Sequence, residues 1–173
     1  ITATLLPVLQ VSPQLGRNFI PDEDRPNGPG AVIISDGLWR SRFGADPGVL
    51  SRTLEINGRS RQIVGVMPAG FSFGSPETQL WMPMGFDPNA AFTGGFSYDA
   101  VARLKPGVSI EAAEREFISV LPRVVEVAPM MAPGFTMQAL LDQAKPVPSL
   151  SPLRDDITGG IAKTLWMVAA AAG

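Results

Sequence analysis

The stretch of residues 52–71 constrains the fold more than any other, because its pattern is typical of two short strands joined by a tight turn. Asn57-Gly58 supplies the turn, since a type I′ turn needs positive φ at both central residues and these two types tolerate it best. On the returning strand, Ile63-Val64-Gly65-Val66-Met67 is continuously apolar, which predicts burial on both faces. Pro68-Ala69-Gly70 ends it. The sequence therefore predicts a locally determined hairpin with a buried second strand.

The composition favours short strands and loops over a helical bundle. The chain has 173 residues, enough for one ordinary domain or two small lobes with a core. Its 18 glycines and 17 prolines are each about a tenth of the 173 residues, above the usual shares of ~7% and ~5%. Because 14 basic residues are balanced by 16 acidic ones and no basic run is long enough to follow a phosphate backbone, we expect no nucleic-acid partner.

The side chains on which many enzymes depend are missing from the sequence. It contains no cysteine and no histidine, which removes thiol nucleophiles, thiolate metal sites and the commonest general base. Carboxylates such as Asp22, Glu55, Glu77 and Asp99 belong to no glycosidase signature. The run Asp22-Glu23-Asp24 lacks the ligand spacing of a calcium loop. The sequence therefore predicts no enzyme, no catalytic residue, no cofactor-binding residue and no metal site.

Upstream of the hairpin, the pattern predicts a strand followed by a short helix. Residues 31–35 are typical of a buried strand, and Ser35 or Asp36 can cap a helix over residues 37–43. Within that helix, apolar residues are expected to face a sheet, and these are Leu38, Trp39 and Phe43. Gly44 is placed to end it.

The second half predicts a strand, a helix and a strand. Residues 97–104 are typical of a strand, and Ser109 is a good N-cap for a helix with an apolar stripe extending to residue 124. Pro122 lies inside this pattern, so the helix kinks there or a second one starts. Residues 135–141 are interpreted as a final strand. The whole order predicts an α+β fold with two small lobes.

The connections and the C-terminal end have their own composition. Residues 20–30 are acidic and rich in turn residues, which predicts a surface connection, and residues 144–152 are a proline-rich linker. Residues 165–173 are apolar and uncharged but much shorter than the ~20 residues that cross a bilayer. They are typical either of a buried terminal helix or of the start of a membrane span.

A series of short motifs resembles a known family. In order, they are the strand ending in Ser35, Gly37-Leu38-Trp39, Arg42-Phe43-Gly44, Asp46-Pro47, Arg52-Thr53-Leu54, Asn57-Gly58, Val64-Gly65-Val66-Met67-Pro68, Gly70-Phe71 and Leu80-Trp81-Met82-Pro83. Leu15-Gly16-Arg17 and residues 101–116 extend the series. Their order and spacing resemble the extracytoplasmic core domain of ABC-transporter permeases of the MacB and FtsX type, most closely the orphan-permease branch with duplicated halves.

The resemblance implies a domain inserted between two membrane helices, with a mostly β lobe that has one short helix and a porter-like strand-helix-strand lobe. Residues 1–30 would be a lead-in belonging to the porter-like lobe, 31–90 the mostly β lobe, 91–145 the porter-like lobe, and 146–173 a linker and the start of a transmembrane helix. The chain departs from the family in two ways. A first porter unit is missing before Leu15-Gly16-Arg17, and the linker is longer and richer in proline.

The resemblance also implies a function without chemistry in this segment. Such a domain lies on the periplasmic side of the cell membrane and transmits ATP-driven movement while it docks a partner or substrate during export. ATP is bound by a separate cytoplasmic ATPase. The implied partners are the membrane through flanking helices, this ATPase, a second copy or a duplicated second half, and a periplasmic adaptor.

An alternative function is a ligand-binding module that captures a peptide, lipid or drug in a cleft between the lobes. Its candidate contact residues are aromatic: Phe71, Phe73, Trp81, Phe92 and Phe96. A deep apolar cleft edged by them would favour ligand binding, whereas their burial in lobe cores would favour the mechanical function. The mechanical interpretation also expects Trp39 and Val64 to lie in connected cores.

Overall fold

The computed structural model describes residues 1–87, 98–127, 130–132, 135–145, 147 and 149–155. The chain divides into two compact units, unit 1 (Ile1–Ala91) and unit 2 (Phe92–Gly173). Both helices and strands occur in each unit, and unit 1 contains a five-stranded sheet. The fold class is α+β, as the sequence predicted.

Unit 1 is built on one mixed sheet. Its strands are β1 (Leu15–Gly16), β2 (Ala31–Ile34), β3 (Thr53–Ile56), β4 (Arg59–Val66) and β5 (Leu80–Trp81). The sheet order is β1-β4-β2-β5, and β3 pairs with β4. Its helices are α1 (Leu5–Leu9) and α2 (Asp36–Phe43), and single 3-10 turns cover Pro21–Asp24 and Pro47–Ser51.

Strand β4 is the centre of the sheet, as the hairpin predicted. It runs parallel to β2 and antiparallel to β1 and β3. The turn between β3 and β4 consists of Asn57 and Gly58, with φ of 53° and 71°, so both residues adopt the left-handed conformation that such a turn requires. Ile56 pairs directly with Arg59 across it. The predicted two-residue hairpin is therefore confirmed.

A bulge in β4 distributes its apolar residues to both faces of the sheet. The register with β2 shifts after Val32, where β4 carries an additional residue. Ile63 and Val66 consequently belong to one face although they are three residues apart, while Val64 and Met67 belong to the other. All of these β4 and Met67 side chains are buried, which confirms the predicted two-sided burial.

The two faces of the sheet carry two core clusters. One contains Leu6, Phe19, Ala31, Ile33, Val64, Met67 and Trp81, and the other contains Val32, Ile34, Val49, Ile63 and Val66. Trp39 packs against the second cluster, so it does not share a cluster with Val64. Because successive residues of β2 and β4 contribute to both clusters, the two cores are connected through the sheet.

Helix α2 forms where the sequence placed it. The hydroxyl of Ser35 accepts a hydrogen bond from the backbone N–H of Leu38 at 3.1 Å, which satisfies one free donor of the first turn. Gly44 ends the helix in the left-handed conformation, with φ of 62°. Leu38, Trp39 and Phe43 are half-buried against the sheet, as predicted.

The first thirty residues pack within unit 1, whereas the sequence interpretation assigned them to the porter-like lobe. Leu6 of α1 is 2% exposed in the first core cluster, and Leu15 of β1 pairs with Val66 of β4. The backbone N–H of Arg17 extends this pairing by donating to the carbonyl of Val64 at 2.9 Å. Since β1 fills the edge of β4 left free beyond β3, these residues complete the sheet.

Unit 2 consists of short elements around one longer helix. They are α3 (Ile110–Val120), a 3-10 turn (Leu121–Arg123), α4 (Val124–Val127), β6 (Met130–Ala132), β7 (Phe135–Thr136) and α5 (Met137–Ala144). Ser109 caps α3 by accepting from the N–H of Ala112 at 3.2 Å, as predicted. Pro122 lies in the 3-10 turn, so a second short helix starts after it.

Two predicted strands of unit 2 are wrong. Residues 98–104, within the stretch predicted as a strand over 97–104, contain no strand, and no described strand pairs with them. Residues 135–141 form only two residues of β7 before α5 begins. Thr136 caps that helix by accepting from the N–H of Ala139 at 3.1 Å, and the following residues are good helix formers. This largely apolar stretch was interpreted as a strand from its sequence, and Thr136 was not recognised as a helix cap.

Candidate functional site

Three of the aromatic residues proposed as ligand contacts, Phe71, Phe73 and Trp81, lie at or near β5. Trp81 pairs with Ile33 and is 4% exposed. The ring of Phe71 meets that of Trp81 edge-on, with centroids 5.3 Å apart and planes at 63°. The indole N–H of Trp81 donates to the carbonyl oxygen of Phe73 at 3.2 Å. Phe71 and Phe73 therefore both contact Trp81, so the three residues come together around its buried ring.

The same aromatic group has a limited outward surface. Phe71 and Phe73 are half-buried, and Phe71 packs against the first core cluster. Their direct contact with a ligand stays a prediction. The other two candidates, Phe92 and Phe96, lie outside the described residues.

The three carboxylates of residues 22–24 each bind a different partner within unit 1. Asp22 pairs with Arg25 at 2.8 Å on the surface, and Glu23 pairs with Arg17 at 2.7 Å. Asp24 accepts from the backbone N–H of Ala3 at 2.6 Å and from that of Gly85 at 3.0 Å. The three carboxylates thus diverge, and Asp24 connects the N-terminal segment with the segment after β5.

Glu23 is the exception to the predicted surface connection over residues 20–30, because it is buried with 7% exposure. Arg17 donates to both of its carboxylate oxygens, at 2.7 and 3.0 Å, and the N–H of Ile20 donates to one of them at 2.9 Å. Burial acts to raise the pKa of Glu23, but the hydrogen bonds from Arg17 and Ile20 and the charge of Arg17 outweigh it and lower this pKa. Glu23 is therefore a buried, ionised structural group.

The motif residues around α2 also serve the fold. The indole N–H of Trp39 donates to the carbonyl oxygen of Asp46 at 2.9 Å, which fixes the turn after the helix. Arg40 pairs with Asp36 one turn away at 2.7 Å, and Arg52 pairs with Asp46 at 3.1 Å. Together these contacts hold α2 and the turn after it against the sheet.

Unit 2 presents a different surface, with apolar side chains exposed along its longest helix. Phe117 and Ile118 of α3 are 49% and 48% exposed, and Val120 and Val124 follow at 39% and 37%. Glu114 on the same helix accepts from the backbone N–H of Leu150 at 2.9 Å. The apolar stripe predicted for this helix is therefore present but is only partly covered.

The carboxylates considered for glycosidase chemistry belong to different segments of the fold. No group of three or more Asp or Glu side chains among them is arranged to hold a metal ion. Of the scattered carboxylates, Asp22 pairs with Arg25, Glu77 accepts from the hydroxyl of Ser75, and Glu55 lies on β3. In the same part of the chain, every helix is too short or too polar to cross a bilayer. The membrane helix predicted at the C-terminal end lies outside the described residues.

Comparison with known proteins identifies the family. The family described as MacB-like periplasmic core domain matches residues 1–120. The chain is similar to the crystal structure of the periplasmic region of MacB from Actinobacillus actinomycetemcomitans, with 15% identity and a TM-score of 0.48; the match covers 86% of this chain and 64% of that one. No curated protein matches. Since the family match covers well over half of its length, the chain belongs to the MacB-like periplasmic core domains of ABC-transporter permeases.

Proposed function

We propose that this chain is a moving part of an export system, transmitting ATP-driven movement across the membrane and docking a partner or substrate on the periplasmic side. The family supplies the setting, since its permeases work with an ATPase and place this domain outside the cytoplasm. The chain spans 64% of the length of the MacB periplasmic structure. Nucleotide would be bound by the separate ATPase, and this segment would need no cofactor.

The observation that carries the proposal is the construction of unit 1 as one interlocked body. Core clusters cover both faces of its sheet, and Asp24 connects backbone segments that are distant in sequence. Such a body moves whole, because packed cores resist continuous deformation. The burial of Trp81 within it supports the mechanical function over ligand capture.

Partners follow from the same proposal. The permease would contact the membrane through helices that flank this domain. It would work as a homodimer or with a duplicated second half, and the domain would engage a periplasmic adaptor. The apolar residues exposed on α3 support such contacts, since exposed apolar groups on a folded unit are typical of interaction sites.

Distance measurements between spin labels test the movement. The chain has no cysteine, so introduced ones would be its only labelling sites. In the intact transporter, we expect the distance between labels at Arg42→Cys in unit 1 and Arg115→Cys in unit 2 to change when ATP is added. A matched pair within unit 1, Arg42→Cys with Glu77→Cys, should keep its distance. Fixed distances for both pairs, in a transporter that hydrolyses ATP, would show that the proposal is wrong.

A further inference from the structure

Two arginines on the β3–β4 hairpin, Arg59 and Arg61, have no carboxylate partner among the described residues. Four arginines of this unit pair with carboxylates, and the ones among its described residues that do not are Arg42, Arg59 and Arg61. Arg59 and Arg61 are two residues apart on β4, so their side chains lie on the same face of the hairpin. Two unpaired guanidinium groups are thus placed side by side.

The composition of that face is amphipathic. Arg59 pairs across the hairpin with Ile56 and Arg61 pairs with Leu54, and these two apolar side chains are half-buried because they pack against the second core cluster. Glu55, the carboxylate of β3, pairs with Ser60 and therefore belongs to the opposite face. No acidic side chain of the hairpin neutralises the two arginines.

Arg61 provides a second, independent observation. Its Nε is buried, and no acceptor among the described residues lies within hydrogen-bonding distance of it. The stem of Arg61 lies against Gly30, where an added Cβ would come within 3.3 Å of the arginine Cγ. Arg61 is half-buried, so its stem is held in place and the guanidinium group loses less conformational freedom when it binds a partner.

We propose that Arg59 and Arg61, on one face of the hairpin, bind an acidic segment of a partner protein through carboxylates received by their two guanidinium groups. Guanidinium forks match carboxylates in a bidentate geometry, and two forks on one face suit two acidic residues of an extended peptide. This inference names the partner chemistry for the docking role proposed above and rests on it.

The hairpin favours a protein over an anionic lipid surface. Its turn is Asn57-Gly58, and residues 53–62 contribute no large apolar side chain to the exposed surface. Elements that bind a membrane surface bury apolar side chains in the lipid at the contact. A polar turn followed by an exposed Arg59 and a half-buried Arg61 is suited to the carboxylates of a protein segment.

A peptide titration tests the proposal on the full chain. Capped hexaglutamate would be added at low salt while backbone amide shifts are followed by NMR, with capped hexaglutamine as the uncharged probe. We expect hexaglutamate to shift the amides of β3 and β4, and Arg59→Gln/Arg61→Gln to weaken its binding about fivefold or more. Arg42→Gln, which removes an equally unpaired cation from α2, should change affinity less than about twofold.

Further variants separate geometry from charge. Arg61→Lys keeps the charge but loses the fork, so we expect a loss of about two- to threefold. If Arg61 variants fail to fold, Arg59→Gln alone is decisive, because Arg59 is exposed. Equal losses for Arg42→Gln and the hairpin variants, or shifts away from the hairpin, would overturn the proposal.

Binding of the hairpin to an anionic lipid surface is tested in the same way, with vesicles. If vesicles containing phosphatidylglycerol bind the hairpin and hexaglutamate does not, the partner is a lipid surface and the proposal is wrong. Failure here is distinguishable from failure of the movement proposal, because the label distances between the units do not depend on Arg59 or Arg61.

Discussion

At the scale of single residues, the ion pair of Glu23 and Arg17 is important for the stability of unit 1. The Glu23 side chain is 5% exposed and that of Arg17 is 48% exposed, so the pair bridges the core and the surface. An amide in place of the carboxylate removes the charge and one of the two acceptor oxygens, so a buried donor loses its partner, which costs more than losing a surface pair. The strength of this contact comes from the three donors that converge on one buried group.

We expect Glu23→Gln to lower the free energy of unfolding by about 1–2 kcal/mol in urea titrations, since Arg17 keeps access to water. The matched control is Asp22→Asn, which removes an exposed partner of Arg25 and should cost less than about 0.5 kcal/mol. Equal effects of the two substitutions would contradict the structural role of Glu23.

The same pair makes stability depend on pH. The pKa of Glu23 is lower in the folded protein than its ordinary value of 4.5. Its contribution is therefore complete above that pH and is lost as the pH falls through the folded pKa. Urea titrations at a series of acidic pH values should show a smaller difference between the original chain and Glu23→Gln at the lowest pH.

Among the elements, α2 depends on its first turn. The helix is eight residues long, too short to be stable without its cap and its packing. We expect Ser35→Ala to cost about 1 kcal/mol in the free energy of unfolding. Ser41→Ala is the control: its hydroxyl donates to the carbonyl of Gly37 on the exposed side, and alanine is a better helix former, so the change should stay within about 0.5 kcal/mol. A Ser41→Ala loss as large as that of Ser35→Ala would contradict the cap.

Local signals account for the elements that the sequence predicted. Asn57-Gly58 determines its own turn, and Ser35 and Ser109 satisfy amide groups three residues ahead. The wrong strand over residues 135–141 shows the limit, because a short apolar run is ambiguous between helix and strand. Its cap at Thr136 was the signal that could have corrected it.

Contacts between residues that are distant in sequence are not marked by local turn or cap residues. Asp24 bonds the backbone of Ala3 and Gly85, and backbone groups have no residue identity that a sequence could reveal. Arg17 follows β1 and Glu23 lies in the 3-10 turn Pro21–Asp24, so no single helical or strand pattern relates the two residues. The candidate ligand contacts were chosen because they are aromatic, but only the fold shows that Trp81 is a core residue.

At the scale of the whole molecule, the shared strands predict that the two clusters of unit 1 unfold together. Ile33 and Ile34 are neighbours on β2 with 0% exposure, and each belongs to a different cluster. We expect Ile33→Ala and Ile34→Ala each to cost about 2–5 kcal/mol. Amide hydrogen exchange should show equal acceleration throughout β2 and β4 for both variants.

The control for this prediction is Ile118→Ala on α3. Ile118 is 48% exposed, so the substitution should leave exchange in the sheet unchanged. Selective acceleration of only one face, with the other protected as before, would show that the clusters are separate folding units.

The two-residue turn between β3 and β4 also bears on the order of assembly. Closing so small a loop costs little chain entropy. By contrast, β2 and β4 pair only when a much longer loop closes, because 30 residues lie between the partners Ala31 and Gln62. We therefore expect the hairpin to be the early nucleus and the parallel pairing to follow. Kinetic φ-values near one at the turn and low values at β1 would show this sequence of events.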